Sequence, residues 1–267
     1  MKYLTFAAGV LTASSAFAES PAQPVLTVYA GDYFTSEWGP GPVIEKGFEE
    51  ICGCDLQFST GDLVPRLLLE GERTKADVVI GLTSDVTAKA RATGLFAPHG
   101  QDNSALTLPI EWTDDTFLPF NYGHTAFIYN ETTMATPPDS FDMLLGMPDD
   151  VKIVIQDPRT SLSGLALVLW VDAIYGEKSA DVWAQLAPKI LTVTKDCSSP
   201  YPLFTAPAPA MFLTYTTSPP SPLFASHPFP HKPSIFPAPH YFMVHTVSPF
   251  AGTSVSSLPP SFLSSLL

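Results

Sequence analysis

Ala76-Asp77-Val78-Val79-Ile80-Gly81-Leu82 closes on an unbroken apolar, β-branched run, the pattern of a strand buried on both faces. Residues 84–93 follow with helical spacing and stop at Gly94, a good C-terminal signal. Upstream, Val25–Ala30 is a second buried strand. Between the two, residues 42–52 place Val43, Ile44, Phe48 and Ile51 at helical spacing, residues 55–59 read as a strand and 62–72 as a helix. Strand and helix alternate, so the spacing predicts a parallel sheet covered on both faces.

A second α/β set lies downstream. Residues 117–120 and 125–129 read as strands flanking Asn121-Tyr122-Gly123. A short helix over 140–145, a buried strand over 151–156 and a strongly apolar helix over Leu162–Tyr175 come next, then a helix at 181–190 and a strand at 191–195. Two helix-rich groups in 267 residues favour two lobes.

Composition changes abruptly beyond Asp196. No acidic residue follows it, Lys232 is the one later Lys or Arg, and fifteen of the 28 prolines lie between Pro200 and Pro260. Prolines fix φ and lack the N–H, so Pro219-Pro220, Pro259-Pro260 and their neighbours speak against regular helix and central strand there. Residues 211–217 and 241–247 are the two strand candidates in this part. Incomplete or disordered structure is the expectation for the remainder.

Lys2, an apolar stretch over 4–11 and Ala16-Phe17-Ala18 form the three regions of a cleavable signal peptide, predicted as residues 1–18. The mature chain is then expected to start near Glu19 and to work outside the cytoplasm, in a bacterial periplasm. The net charge is −13, and Lys2 and Lys232 are the charged residues outside 19–196, so that stretch carries −15. Such acidity argues against nucleic acid and anionic membranes and suits a small cation, although it also serves solubility. Of the cysteines, Cys52 and Cys54 can pair in an oxidising compartment and Cys197 is left over.

Glu37-Trp38-Gly39-Pro40-Gly41-Pro42, Lys75 to Leu82, Asp115-Thr116-Phe117-Leu118-Pro119-Phe120, Gln156-Asp157-Pro158-Arg159-Thr160-Ser161, Thr192-Val193-Thr194-Lys195 and Tyr215-Thr216-Thr217-Ser218-Pro219 occur in order. Together they resemble the periplasmic thiamine-binding proteins that feed ABC importers, collinearly from Val25 to Lys195 and thinly to Leu263. The resemblance implies the two-lobed type II solute-binding fold. Lobe 1 would span 19–118 and lobe 2 119–222, with the Pro-rich tail 223–267 returning to lobe 1. It implies a monomer that carries thiamine or a thiamine phosphate to a membrane permease, with no catalytic residue, cofactor or metal. Ligand contacts carried over fall on Thr60 and Gly61, Ser161 and Leu162, Cys197, and Tyr215, Thr216, Thr217 and Ser218.

Physical chemistry bears on those positions separately. A flat aminopyrimidine joined to a cationic thiazolium needs aromatic faces and hydrogen-bonding groups. Tyr215 offers a π face or a core side chain. Ser161, with Ser163 and Gly164, marks a helix N-terminus suited to an anion, or a plain N-cap. Trp38 reads as a pocket wall or as a Trp packed on a Gly-Pro turn. Departures from the family pattern are Cys197 and Ser221 where aromatics are expected, and Gly31 where some members have Tyr.

Other functions are weighed on the same residues. Cys197 as a nucleophile has no His near it in sequence, and Asp196 beside it raises a thiol pKa. A metal-binding reading rests on His227, His231, His240 and His245, but His227 and His231 cannot share a helix turn across Pro228 and Pro230. A ferric-iron protein using tyrosines such as Tyr122, Tyr215 and Tyr241, or the non-functional product of a degraded gene, are the alternatives.

Overall fold

A computed structural model gives the fold and describes residues 23–36, 39–195, 211–218, 231–236 and 241–267. The two apolar runs that open and close the first unit become adjacent parallel strands, β1 (Val25–Ala30) and β3 (Val78–Thr83), with β2 (Asp55–Thr60) parallel on the other side of β1. Every residue of β3 is buried, which is why its sequence shows no alternation. Asp77, just ahead of it, is buried too, and its carboxylate accepts from the Thr27 N–H at 2.9 Å and the Thr253 hydroxyl at 2.6 Å. Donors on both sides make burial of that group tolerable.

Helix α1 (Gly41–Cys52) carries Pro42 in its first turn and ends at Gly53, whose φ of 61° permits the left-handed C-cap. A Cys52–Cys54 disulfide spans that glycine and leads into β2. Helices α2 (Leu63–Glu70) and α3 (Thr87–Arg91) are shorter than their sequence patterns. Gly71 ends α2, its N–H bonding the Leu67 carbonyl. Residues 84–86 form a turn because the Ser84 N–H is held by the Val244 carbonyl at 2.9 Å.

Where the sequence pattern suggests two strands around Asn121-Tyr122-Gly123, the structure has one, β4 (Leu118–Asn130). It stays extended because it changes partner midway. Residues 118–124 pair antiparallel with β9 (Phe242–Pro249), and residues 125–129 pair antiparallel with β7 (Met211–Tyr215). Its far end also pairs with β8 (His231–Ser234). Beyond it come α4 (Phe141–Gly146), β5 (Ile153–Gln156), α5 (Leu162–Tyr175), α6 (Ser179–Leu186) and β6 (Ile190–Thr194). Ser140 caps α4, its hydroxyl accepting from the Met143 N–H at 3.2 Å.

The strand order is β2-β1-β3-β9-β4-β7-β5-β6, with β8 on β4. The sheet is therefore mixed rather than purely parallel. Strands β1 to β3 form one parallel set and β5 to β7 another, while β4 and β9 run antiparallel to their neighbours between them.

The proline expectation needs correcting within the described residues. Pro259 and Pro260 occupy the first turn of helix α7 (Leu258–Ser265), where a missing N–H costs nothing. Strand β9 is central and holds Pro249 only at its last residue, while Pro233 lies in β8, off the main path of the sheet. Among the described residues no helix is long and apolar enough to cross a membrane.

Two groups of core residues flank the sheet's crossing strands. One gathers Phe127, Phe141, Trp170, Leu186 and Phe236. Another joins Phe34, Phe48, Leu118, Val247 and Phe262, and beside it Tyr29, Phe117 and Phe250 pack with β3. Helix α7 closes the second group, with the Phe48 and Phe262 rings edge-to-face at 5.2 Å.

Candidate functional site

Strand register locates the site. Along β9, Thr83 at the carboxyl end of β3 lies opposite His245, and His245 in turn lies opposite Asn121 of β4. Tyr215, at the carboxyl end of β7, lies opposite Thr125 of the same β4. The two parallel sets thus run toward each other and end at the middle of β4. Four residues of strand separate the two levels, about 13 Å at an antiparallel rise. Ligands of α/β folds sit at the carboxyl ends of such strands, so the ends of β3 and β7 mark the candidate site.

The sequence-derived positions fall on those ends. Tyr215 to Ser218 form a turn directly after β7. The Ser218 N–H bonds the Tyr215 carbonyl at 3.0 Å, the Ser218 and Thr214 hydroxyls are 2.8 Å apart, and the Thr216 N–H bonds His124 O at 2.9 Å. Tyr215 and Thr216 are half-buried, whereas Thr217 is exposed. The Tyr215 ring lies beside Gly123, where an added Cβ would be 3.4 Å from its Cδ1, and its hydroxyl points at Met243 Sδ, 3.9 Å away.

Ser161 and Leu162 start α5, after the carboxyl end of β5. The Ser161 side chain makes no capping bond; it is buried, 3.0 Å from the Ser163 hydroxyl. Ser163 donates to Gln156 Oε1 at 2.8 Å, and Gln156 Nε2 donates to Leu213 O at 3.0 Å. That chain ties the start of α5 to β5 and β7, so hydrogen bonds link the Ser161 pair to the strand that carries the Tyr215 turn. Gly164 has a packing role: a Cβ there would lie 2.5 Å from the Gln156 carbonyl oxygen.

Thr60 and Gly61 end β2, at the edge of the sheet farther from β7. Gly61 takes φ 147°, and its N–H bonds Ala30 O at 3.1 Å. Thr60 is exposed and lines a surface depression of about 480 Å³ with Thr35, Glu45, Asp55 and Phe58. Cys197 lies outside the described residues, as do residues 1–18, Trp38, Ser221, His227 and His240.

Electrostatics at the centre are mild. His245 stands edge-on to Tyr215, and burial pushes its imidazole down to about 4, so it is neutral at pH 7. Tyr241, where β9 enters, is pushed up to about 12 by burial first and by the negative Asp85 second. Near α5, hydrogen bonds from Arg159 hold Asp157 down to about 2, a pair on the rim. Tyr215, His245 and Gly123 present no positive charge of their own to oppose a cation. Among the described residues no group of three or more His, Cys, Asp or Glu is placed to hold a metal ion.

The sequence alone did not single out His245 as a neighbour of Tyr215. His245 lies in the Pro-rich third, and the register of β9 between β3 and β4 brings it there.

No family model matches the chain. The thiamine-binding periplasmic protein of Escherichia coli K12 is 39% identical over 246 residues, covering 91% of this chain and 75% of that protein. Its namesake from Salmonella typhimurium is 38% identical over 258 residues, 95% of this chain and 78% of that one. A solved periplasmic thiamin binding protein is 38% identical with a TM-score of 0.87, over 93% of this chain and 79% of that chain. Iron-bound HitA from Pseudomonas aeruginosa superposes with a TM-score of 0.76 at 18% identity, over 90% of this chain and 79% of that chain, a likeness of fold alone. Identity near 38% along nine-tenths of its length, on a type II periplasmic-binding-protein fold, shows that this chain belongs to the family of thiamine-binding periplasmic proteins.

Proposed function

We propose that this chain captures thiamine, or a thiamine phosphate, and hands it to the permease of an ABC importer. The observation that carries the reading is identity of 39% over 91% of the chain to a protein named for binding thiamine. The meeting of two sets of strand ends at β4 supports it, because a flat cation between them meets Tyr215 and a neutral imidazole. In this reading residues 19–118 with the returning tail form lobe 1 and residues 119–222 form lobe 2. Thr60-Gly61, Ser161-Leu162, Cys197 and the turn from Tyr215 to Ser218 line the cleft. The protein works in the periplasm as a monomer after residues 1–18 are removed. It binds without catalysis, in keeping with relatives that are named as binding proteins.

Calorimetric titration of the mature chain tests this. Thiamine or its monophosphate is expected to bind with micromolar or tighter affinity. No heat from either, with ferric iron binding instead, overturns the proposal.

A further inference from the structure

The ring of Tyr33 occupies a slot that two glycines leave open. Just past β1, residues 32–35 form one helical turn whose buried anchor is Phe34, packed on Phe58 at 5.4 Å and Phe120 at 6.3 Å. That anchor turns the neighbouring Tyr33 outward, and it remains 41% exposed. A Cβ at Gly31 would lie 2.7 Å from Tyr33 Cε1, and one at Gly81 would lie 2.8 Å from its hydroxyl oxygen. Gly81 is also where β3 shifts register against β9, with φ 100°. Any side chain at either place would expel the ring. Leu63, just past the Thr60-Gly61 loop, reaches the same spot, with Cδ1 3.9 Å from the Cβ position of Gly81.

Tyr33 thus sits at the carboxyl ends of β1 and β3, on the side of the gap opposite Tyr215. A line of rings joins the two. Phe34, Phe120 and His245 follow Tyr33, with successive centroids 6.2, 6.3 and 6.3 Å apart, and His245 reaches Tyr215 at 6.2 Å.

We infer that Tyr33 is a ligand-contacting residue, the aromatic face that the β1–β3 half presents to a flat heteroaromatic cation in the cleft. The inference rests on the proposed binding of thiamine. The two glycines leave room for the ring at this place, and its partial exposure leaves it accessible to a ligand. Tyr33 then sets specificity for a planar, cationic ring over an aliphatic solute of similar size.

The experiment is calorimetric titration of the mature chain and its Y33F, Y33L and Y33A variants with thiamine, with a thermal melt of each. Y33F keeps the ring and is expected within ~2-fold of the unmodified protein, while Y33A and Y33L lose ~5- to 30-fold, the range of a partly desolvated cation–π contact. Y33L keeps apolar bulk, so it reports loss of the π face even where Y33A melts early. If the unmodified chain binds thiamine and Y33L binds equally well, the role given to Tyr33 is wrong while the thiamine reading stands. If the unmodified chain binds no thiamine, that reading fails and takes this one with it.

Discussion

His245 stands edge-on to Tyr215, 6.2 Å between ring centroids and 71° between planes, with its imidazole buried and its Nδ1 without a hydrogen-bond partner among the described residues. Burial opposes protonation of the imidazole, which is why its pKa falls from 6.5 to about 4. The depressed value gives the sign of the linkage. The unfolded chain takes up a proton below pH 6.5 and the folded one does not, so the stabilisation is complete above pH 6.5. It is lost as pH falls toward 4, by up to about 1.4 kcal/mol per pH unit. Urea titrations at pH 7.5 and 5 are expected to show this loss, and His245→Phe to reduce it.

Tyr215 is expected to contribute to affinity through its ring. Tyr215→Ala should weaken thiamine binding about 5- to 30-fold, and Tyr215→Phe, which keeps the ring and loses the hydroxyl that faces the Met243 thioether, should stay near the unmodified protein. Equal affinity for the Ala variant in a fluorescence titration would make Tyr215 a packing residue.

The serine–glutamine chain behind α5 carries its own test. Gln156→Leu removes the acceptor of Ser163 and the donor to Leu213 O, both buried. Losing both of these buried bonds is expected to cost about 1–3 kcal/mol in urea unfolding. Gly164→Ala forces a methyl to within 2.5 Å of a backbone oxygen and should cost a similar ~1–3 kcal/mol by overpacking.

Helix α7 predicts that the last residues are structural. Phe262→Ala empties a fully buried site against Phe48 and is expected to cost about 3–5 kcal/mol. A melt unchanged from the unmodified protein would mean that α7 adds nothing to the core.

The elements whose signals are local were legible before the structure. Leu162–Tyr175 was bounded to the residue because it is apolar around its circumference and ends at Gly176. Val78 to Leu82 was evident because a fully buried strand needs no polar alternation. What failed depended on partners far along the chain. Asn121-Tyr122-Gly123 reads as a break between two strands, yet pairing with β9 keeps it extended within one. Pro259-Pro260 looks like an interruption, yet it starts a helix because Phe262 and Leu263, one turn on, bury themselves in the core. For the site, Ser161 and Tyr215 came from a resemblance, and nothing near Tyr33 in sequence reveals that Gly81, on another strand, leaves room for its ring.

Placing β9 between β3 and β4 has a consequence for biogenesis. The sheet cannot be completed until residues 242–249 have been synthesised, so a nascent chain remains open while most of it leaves the ribosome. Pairing of that late segment with β3 and β4 is therefore the step that joins the two sets of parallel strands into one sheet.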